Sequence, residues 1–238
     1  MILHCIGSSS HGNCYVIQNE NEALIIEAGL PLLEAKKVLN WNIKKVVGCL
    51  VSHQHGDHAA YAREYTDAGI TLLTLEDVIQ AKQLGNSAIP ITLGKGYILG
   101  GFKILPFSVL HDVPCVGFHI QHKEFGKLLF FTDTYAMQYN FKGINYWLIE
   151  ANYSDDILND NIINGRVPQV MRKRLLTSHL SLDNAIGILK RSDLSQTKHI
   201  VLIHLSDGNS NEKEFIKAVR RATGKRTIAA KKEVEIKL

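Results

Sequence analysis

Four side chains able to bind a metal fall within six positions, in Val51-Ser52-His53-Gln54-His55-Gly56-Asp57-His58. Imidazole and carboxylate are the ligands that zinc, manganese or iron take at neutral pH. His53 and His55 alternate, so an extended segment can point both the same way. Gly56 lets the chain turn and aim Asp57 and His58 at a second point nearby. One short segment can therefore serve two ions. A plain polar loop accounts well for one histidine but poorly for this density. The spacing is not that of the helical H-E-x-x-H zinc proteases.

Such a cluster must be held by a scaffold. The apolar run Val46–Val51 leads into it and reads as a buried strand. Strand ends in α/β sheets are where sites are usually built. A two-ion site needs further ligands, and the same pattern recurs downstream. His111 follows the extended stretch 98–110, Asp133 follows the apolar run 128–131, and His204 follows 199–203. Each alone has a plain reading as a capped strand end or a hydrogen-bonded histidine. Together with the first cluster they complete a dinuclear set.

Elsewhere, strands are expected at 1–5, 14–18, 23–27, 71–73, 116–121 and 146–149, with 116–121 and 128–131 pairing antiparallel across a turn at 124–126. The tail 226–238 is strand-like and basic. Segment 7–13 is rich in Gly and Ser and reads as a turn. Helices are expected at 31–39, 60–68, 75–84 (capped by Thr74 and ended by Gly85), 155–163, 182–190 (capped by Ser181) and 212–223 (capped by Asn209 or Ser210, ended by Gly224). No Pro/Gly/Ser linker divides the chain. The expected architecture is one domain over 1–238, of class α/β (α+β): a four-layer αββα sandwich, two mixed sheets face to face with helices outside.

Composition sets the remaining bounds. Hydrophobic residues make up 45%, enough for a globular core, and the net charge of +4 permits an acidic partner without demanding one. The cysteines at 5, 14, 49 and 115 form no CxxC pair and read as reduced, buried thiols of a cytoplasmic protein. No apolar run approaches membrane-span length, so no membrane association is expected.

The series H-x-H-x-D-H, His, Asp, His resembles the motif series of the metallo-β-lactamase superfamily. The resemblance implies that His53, His55 and His111 hold one ion, that Asp57, His58 and His204 hold the other, and that Asp133 bridges them. Two divalent ions (Zn²⁺ or Mn²⁺, with Fe fitting the same ligands) would then lower the pKa of a shared water, and the bridging hydroxide would attack the substrate. Glu27 stands where most relatives carry Asp, supporting the metal loop. An Asp at the bridge, with Cys115 off any ligand position, looks like the hydrolase and nuclease branches. The short motifs 7–13, Glu27-Ala28-Gly29, Glu150-Ala151-Asn152, His179-Leu180-Ser181 and His204-Leu205-Ser206 are similar to the bacterial YycJ-like (WalJ-like) subgroup. That implies a DNA exonuclease acting from 5′ ends and linked to repair.

Catalytic roles fall to Asp57 and His179. Asp57 can take a proton, although its first role is as a ligand. His179 precedes a helix N-terminus, where anions are favoured, and is the candidate to protonate a leaving alkoxide. The basic runs 172–174, 190–191, 220–221 and 225–226 are expected around the mouth of the site, gripping nucleic acid, DNA foremost. Two other functions fit the same residues: hydrolysis of a thioester or cyclic nucleotide, and a non-catalytic nucleic-acid-binding module stabilised by its metals.

Overall fold

The computed structural model describes residues 1–238. The first half builds one sheet. Its strands are β1 (Ile2–Ser9), β2 (Gly12–Gln18), β3 (Ala23–Ile26), β4 (Val46–Leu50), β5 (Leu72–Thr74) and β6 (Ala88–Pro90). Helices α1 (Leu32–Val38), α2 (Gly56–Ala59), α3 (Ala62–Asp67) and α4 (Glu76–Ala81) lie between them. The second half builds another sheet from β7 (Tyr97–Leu99), β8 (Phe102–Val109), β9 (Cys115–His122), β10 (Gly126–Phe131), β11 (Tyr146–Glu150), β12 (His199–Ile203) and β13 (Arg226–Ala229). Its helices are α5 (Asp155–Ile163), α6 (Gln169–Ser178), α7 (Leu182–Arg191) and α8 (Glu212–Thr223). A last strand, β14 (Val234–Lys237), returns to the first sheet and pairs antiparallel with β1. The sheet orders are β14-β1-β2-β3-β4-β5-β6 and β13-β12-β11-β10-β9-β8-β7, both mixed.

Alternation along the strands decides the layering. Leu24 and Ile26 of β3 turn inward and meet Phe118, Phe130 and Leu148 of the opposite sheet. Ala23 and Ile25 turn outward and pack under Leu32, Ala35 and Tyr65 of α1 and α3. On the far side, Leu129, Trp147 and Leu202 pack against Ile188, Leu189 and Phe215 of α7 and α8. Three stacked apolar layers are the signature of the αββα sandwich. No helix is long and apolar enough to cross a membrane.

Local chemistry redraws several element ends. Segment 7–13 is mostly strand: β1 runs on to Ser9 and only Ser10 and His11 turn, because Gly7, Ser8 and Ser9 pair with Cys14, Asn13 and Gly12. Thr74 does not cap α4; its hydroxyl donates to the Val51 carbonyl at 2.8 Å and it belongs to β5. Gly85, at φ +56°, begins a 3-10 turn rather than simply closing the helix. Asn211, not Asn209 or Ser210, caps α8, accepting from Glu214 N–H. The tail splits between the two sheets. Ser181 caps α7 and Gly224 ends α8 in the left-handed conformation, as expected.

Candidate metal centre

The centre forms where the carboxyl ends of strands from both sheets come together. β4 delivers His53 and His55, and the short α2 delivers Asp57 and His58. β8 leads to His111, β10 to Asp133 and β12 to His204. Expecting helix only from residue 60 missed α2, which turns Asp57 and His58 away from the extended His53-His55 pair.

All seven side chains converge. Ligand atoms of His53, His55 and His111 lie within 4.8 Å of one another, as do those of Asp57, His58 and His204. Asp133 belongs to a third such group with His53 and His58, so it stands between the first two. Its Oδ2 is 2.9 Å from His58 Nε2. Asp57 Oδ2 is 3.1 Å from both His58 Nε2 and His204 Nε2.

Surrounding hydrogen bonds decide which ring nitrogens face inward. His111 Nδ1 donates to the Ser178 carbonyl at 2.9 Å, which turns Nε2 toward His55 Nδ1, 3.2 Å away. His53 Nδ1 lies 2.9 Å from Ser52 Oγ, leaving its Nε2 buried with no hydrogen-bond partner. A buried imidazole nitrogen without a partner is costly unless something else meets it. Aimed among His55, His58, His111 and Asp133, it has the position of a metal ligand. The residues therefore fit a divalent centre in donor type, grouping and orphaned atom.

The site's electrostatics split it in two. Burial, with His58 close by, holds His53 well below the usual imidazole range, and burial also lowers His111. Burial works against a charge on His58 too, but the Asp133 and Glu27 carboxylates overcome it and raise its pKa well above normal. His204 is likewise raised to about 9, Asp133, Asp57 and Glu150 together outweighing burial. Asp57 is pulled below the usual carboxylate range: hydrogen bonds from His204 and His58 exceed the opposing effect of burial.

Glu27 is fully buried at the end of β3. Its Oε2 accepts from Ser52 N–H at 3.3 Å, and its Oε1 stands 3.5 Å from His58 Nδ1. The longer side chain thus contacts both ends of the segment 52–58 from behind. Glu27, Asp133 and His204 adopt φ of +67°, +49° and +54°. Left-handed backbone at three non-glycine residues around one site is stored strain, held by the surrounding structure.

Four supporting residues went unassigned in the sequence. Glu150, fully buried, receives His179 Nδ1 at 2.7 Å, His204 Nδ1 at 3.3 Å, and the N–H groups of Thr134 and Leu180 at 3.2 and 3.1 Å. Its signal was present, since it too follows an apolar strand directly. Asn13 Nδ2 donates to the Asp57 carbonyl at 3.2 Å, and Ser8 Oγ accepts from His204 N–H at 2.9 Å. Asp112 Oδ1 lies 3.0 Å from His111 Nε2. His179, raised to about 10 because the Glu150 and Asp133 carboxylates together outweigh its burial, lines the site with Nδ1 held on Glu150.

The basic runs are sorted by helix direction. α7 starts at the site and carries Lys190 and Arg191 about 14 Å away along its axis. Arg220 and Arg221 end α8, and Lys225 and Arg226 stand where β13 begins, at the far end of the sheet from His204. Only α6 runs toward the site, and of its basic residues only Arg174 lines the cavity. The expected gathering of basic runs at the mouth therefore reduces to one arginine. His4, His119, His122 and His199 lie on strands away from the centre, and His11 sits at the hairpin tip 3.6 Å from Asp207. The cavity holds about 300 Å³, and none of its lining residues is hydrophobic.

Comparison with known proteins gives a concordant result. The family model described as the metallo-beta-lactamase superfamily matches residues 9–137. The chain is 30% identical over 229 residues to exodeoxyribonuclease YycJ of Bacillus anthracis, covering 87% of this chain and 83% of that one. It is 28% identical over 229 residues to exodeoxyribonuclease WalJ of Streptococcus pneumoniae, covering 86% and 81%. Among solved structures, the metallo-beta-lactamase fold protein YhfI of Bacillus subtilis superposes with a TM-score of 0.78 at 16% identity, covering 99% of each chain.

Proposed function

This chain belongs to the metallo-beta-lactamase superfamily, and on that footing we propose that it is a metal-dependent phosphodiesterase acting on DNA as an exonuclease. The observation that carries the chemistry is the convergence of seven ligand-type side chains on one wholly polar cavity. A polar wall suits phosphate and sugar and gives an acyl chain nothing to pack against. The names of the two exodeoxyribonuclease relatives support DNA as the substrate.

His53, His55 and His111 would hold one divalent ion, Asp57, His58 and His204 the other, with Asp133 between them. Zinc, manganese and iron all suit this donor set. When bound, the pair supplies Lewis acidity and a water acidic enough to attack at neutral pH.

The chain's own residues do the rest. Glu150 is fixed by two backbone N–H groups, and it orients His179 by accepting from Nδ1. That leaves Nε2 as the proton-bearing atom offered to the leaving oxygen. With a pKa raised to about 10, His179 carries that proton through neutral pH. A group that must be protonated loses its function as pH rises through its pKa. Nearby dications can only lower that value, so turnover should fall along an alkaline limb at or below pH 10. In His179→Gln the limb should vanish and kcat should drop about 100-fold, the usual scale of general acid catalysis, with metal content unchanged. A wild-type pH profile in the variant removes His179 from the chemistry.

Turnover of end-labelled DNA with added manganese or zinc tests the proposal as a whole. The wild-type protein should release nucleotides from strand ends, and His55→Ala should be slower by about 100-fold or more, since Lewis-acid stabilisation is worth several kcal/mol. Equal cleavage by both proteins rules out the metal mechanism.

A further inference from the structure

The cavity contains three carboxylates, Asp57, Asp112 and Asp133, and one permanently charged cation, Arg174. An arginine beside three acids would ordinarily pair with one of them. Neighbouring arginines do find partners: Arg172 donates to Asn159 Oδ1, and Arg166 pairs with Asp160. The Arg174 guanidinium makes no ion pair or hydrogen bond within the protein, although it borders the cavity. Its place follows from α6. The helix ends at Ser178, whose carbonyl fixes His111, and the next residue is His179. Arg174 lies four residues before Ser178, hence on the same helix face, and both border the cavity. Every other basic run is carried away from the centre by the direction of its helix or strand.

We propose that Arg174 is the phosphate-gripping side chain of this site, engaging a phosphate next to the one being cleaved and so favouring polyanionic strands over isolated diesters. This rests on the phosphodiesterase reading above and adds the residue that selects the substrate. A guanidinium fork matches two non-bridging phosphate oxygens. With no hydrophobic residue and no Phe, Tyr or Trp in its lining, the cavity offers a base no broad apolar platform, so recognition there is of the backbone and indifferent to sequence.

The test compares kcat/KM for a single-stranded oligodeoxynucleotide with kcat/KM for bis(4-nitrophenyl) phosphate, which has one phosphate and no neighbour. Arg174→Gln should lower the ratio about tenfold or more, chiefly through KM for the oligonucleotide, the scale of one charged hydrogen-bonding contact. Arg174→Lys should recover only part of it, because a point charge replaces the fork. Independently, a fluorescein-labelled oligonucleotide with cleavage-resistant phosphorothioate linkages is bound to each metal-loaded protein across a salt series. Arg174→Gln should reduce the slope of log affinity against log salt by about 0.7, one phosphate contact on a single strand. Arg221→Gln, at the far end of α8, should change neither quantity. An unchanged ratio and slope makes Arg174 a solvated helix-face residue and overturns the proposal. An equal loss on both substrates with an unchanged slope also overturns it, by making Arg174 a support for the centre. If the wild-type protein cleaves no oligonucleotide, the phosphodiesterase reading fails separately, and the salt slope still decides whether Arg174 holds phosphate.

Discussion

Asp133→Ala will hold at most one metal ion per chain and will turn over roughly 1000-fold more slowly or worse, because Lewis-acid stabilisation is worth several kcal/mol and each 1.4 kcal/mol is a decade in rate. The residue is only 2% exposed and sits between the two histidine groups. Oδ2 faces His58 Nε2 and accepts from Thr132 Oγ1 at 2.8 Å; Oδ1 faces His179 Nδ1 at 3.2 Å. Several imidazoles, chiefly His204 and His58, outweigh its burial and hold its carboxyl well below the usual range, so it is ionised at any working pH. Alanine also tolerates φ of +49° less readily than aspartate, so part of the loss will be conformational. Asp133→Asn separates the two effects. It keeps the shape and the backbone tolerance but not the charge, and should lose metal while melting within a few degrees of wild type. Two ions per chain by elemental analysis in either variant refutes the bridging assignment.

Gly29→Ala will fold poorly, with Tm lowered by roughly 10 °C or more, the scale of a backbone collision of several kcal/mol. A Cβ at this position would lie 1.7 Å from the Asp57 carbonyl oxygen, 2.4 Å from its carbon and 2.8 Å from Asn13 N. All three are backbone atoms and cannot swing aside. The segment that follows Glu27 is also stitched to the loop 53–61: Ala28 N–H donates to the His58 carbonyl at 2.8 Å, and Tyr61 N–H to the Ala28 carbonyl at 2.9 Å. Any shift that makes room for a methyl group therefore moves Asp57 and His58. Variant protein that does fold should bind metal weakly. Melting within about 2 °C of wild type, with full metal content, would show that the segments are not in such close contact.

The candidate metal centre was legible because its residues obey one local rule: a ligand-type side chain directly after an apolar strand. His53, His111, Asp133 and His204 all follow it. Glu150 follows it too, but a strand-end carboxylate looks the same in sequence whether it meets an ion or an imidazole. Only the fold brings His179 and His204 to it. α5 was legible end to end because Ser154 starts it with a side-chain cap, accepting from Ile157 N–H. α2 and β6 were not, since four and three residues are too few to show a period. At α8, Asn209, Ser210 and Asn211 are equivalent capping types, and Ser206 takes up the first two, accepting from Asn209 N–H and receiving Ser210 Oγ on its carbonyl. The basic runs misled for a different reason. A charge at the end of a ten-residue helix lies a helix length from its beginning, however near the site that beginning is.

The four thiols are free and buried, and they are distributed among the layers: Cys5 between the sheets, Cys14 and Cys49 under the helices of the first sheet, Cys115 on the outer side of the second. Burial raises every one of them, Cys5 and Cys14 to about 12, so the native chain offers no reactive thiolate. An alkylating reagent can then reach a sulfur only when that layer parts. Timed labelling, read peptide by peptide, would report the order in which the sandwich comes open, with no surface thiol to obscure it.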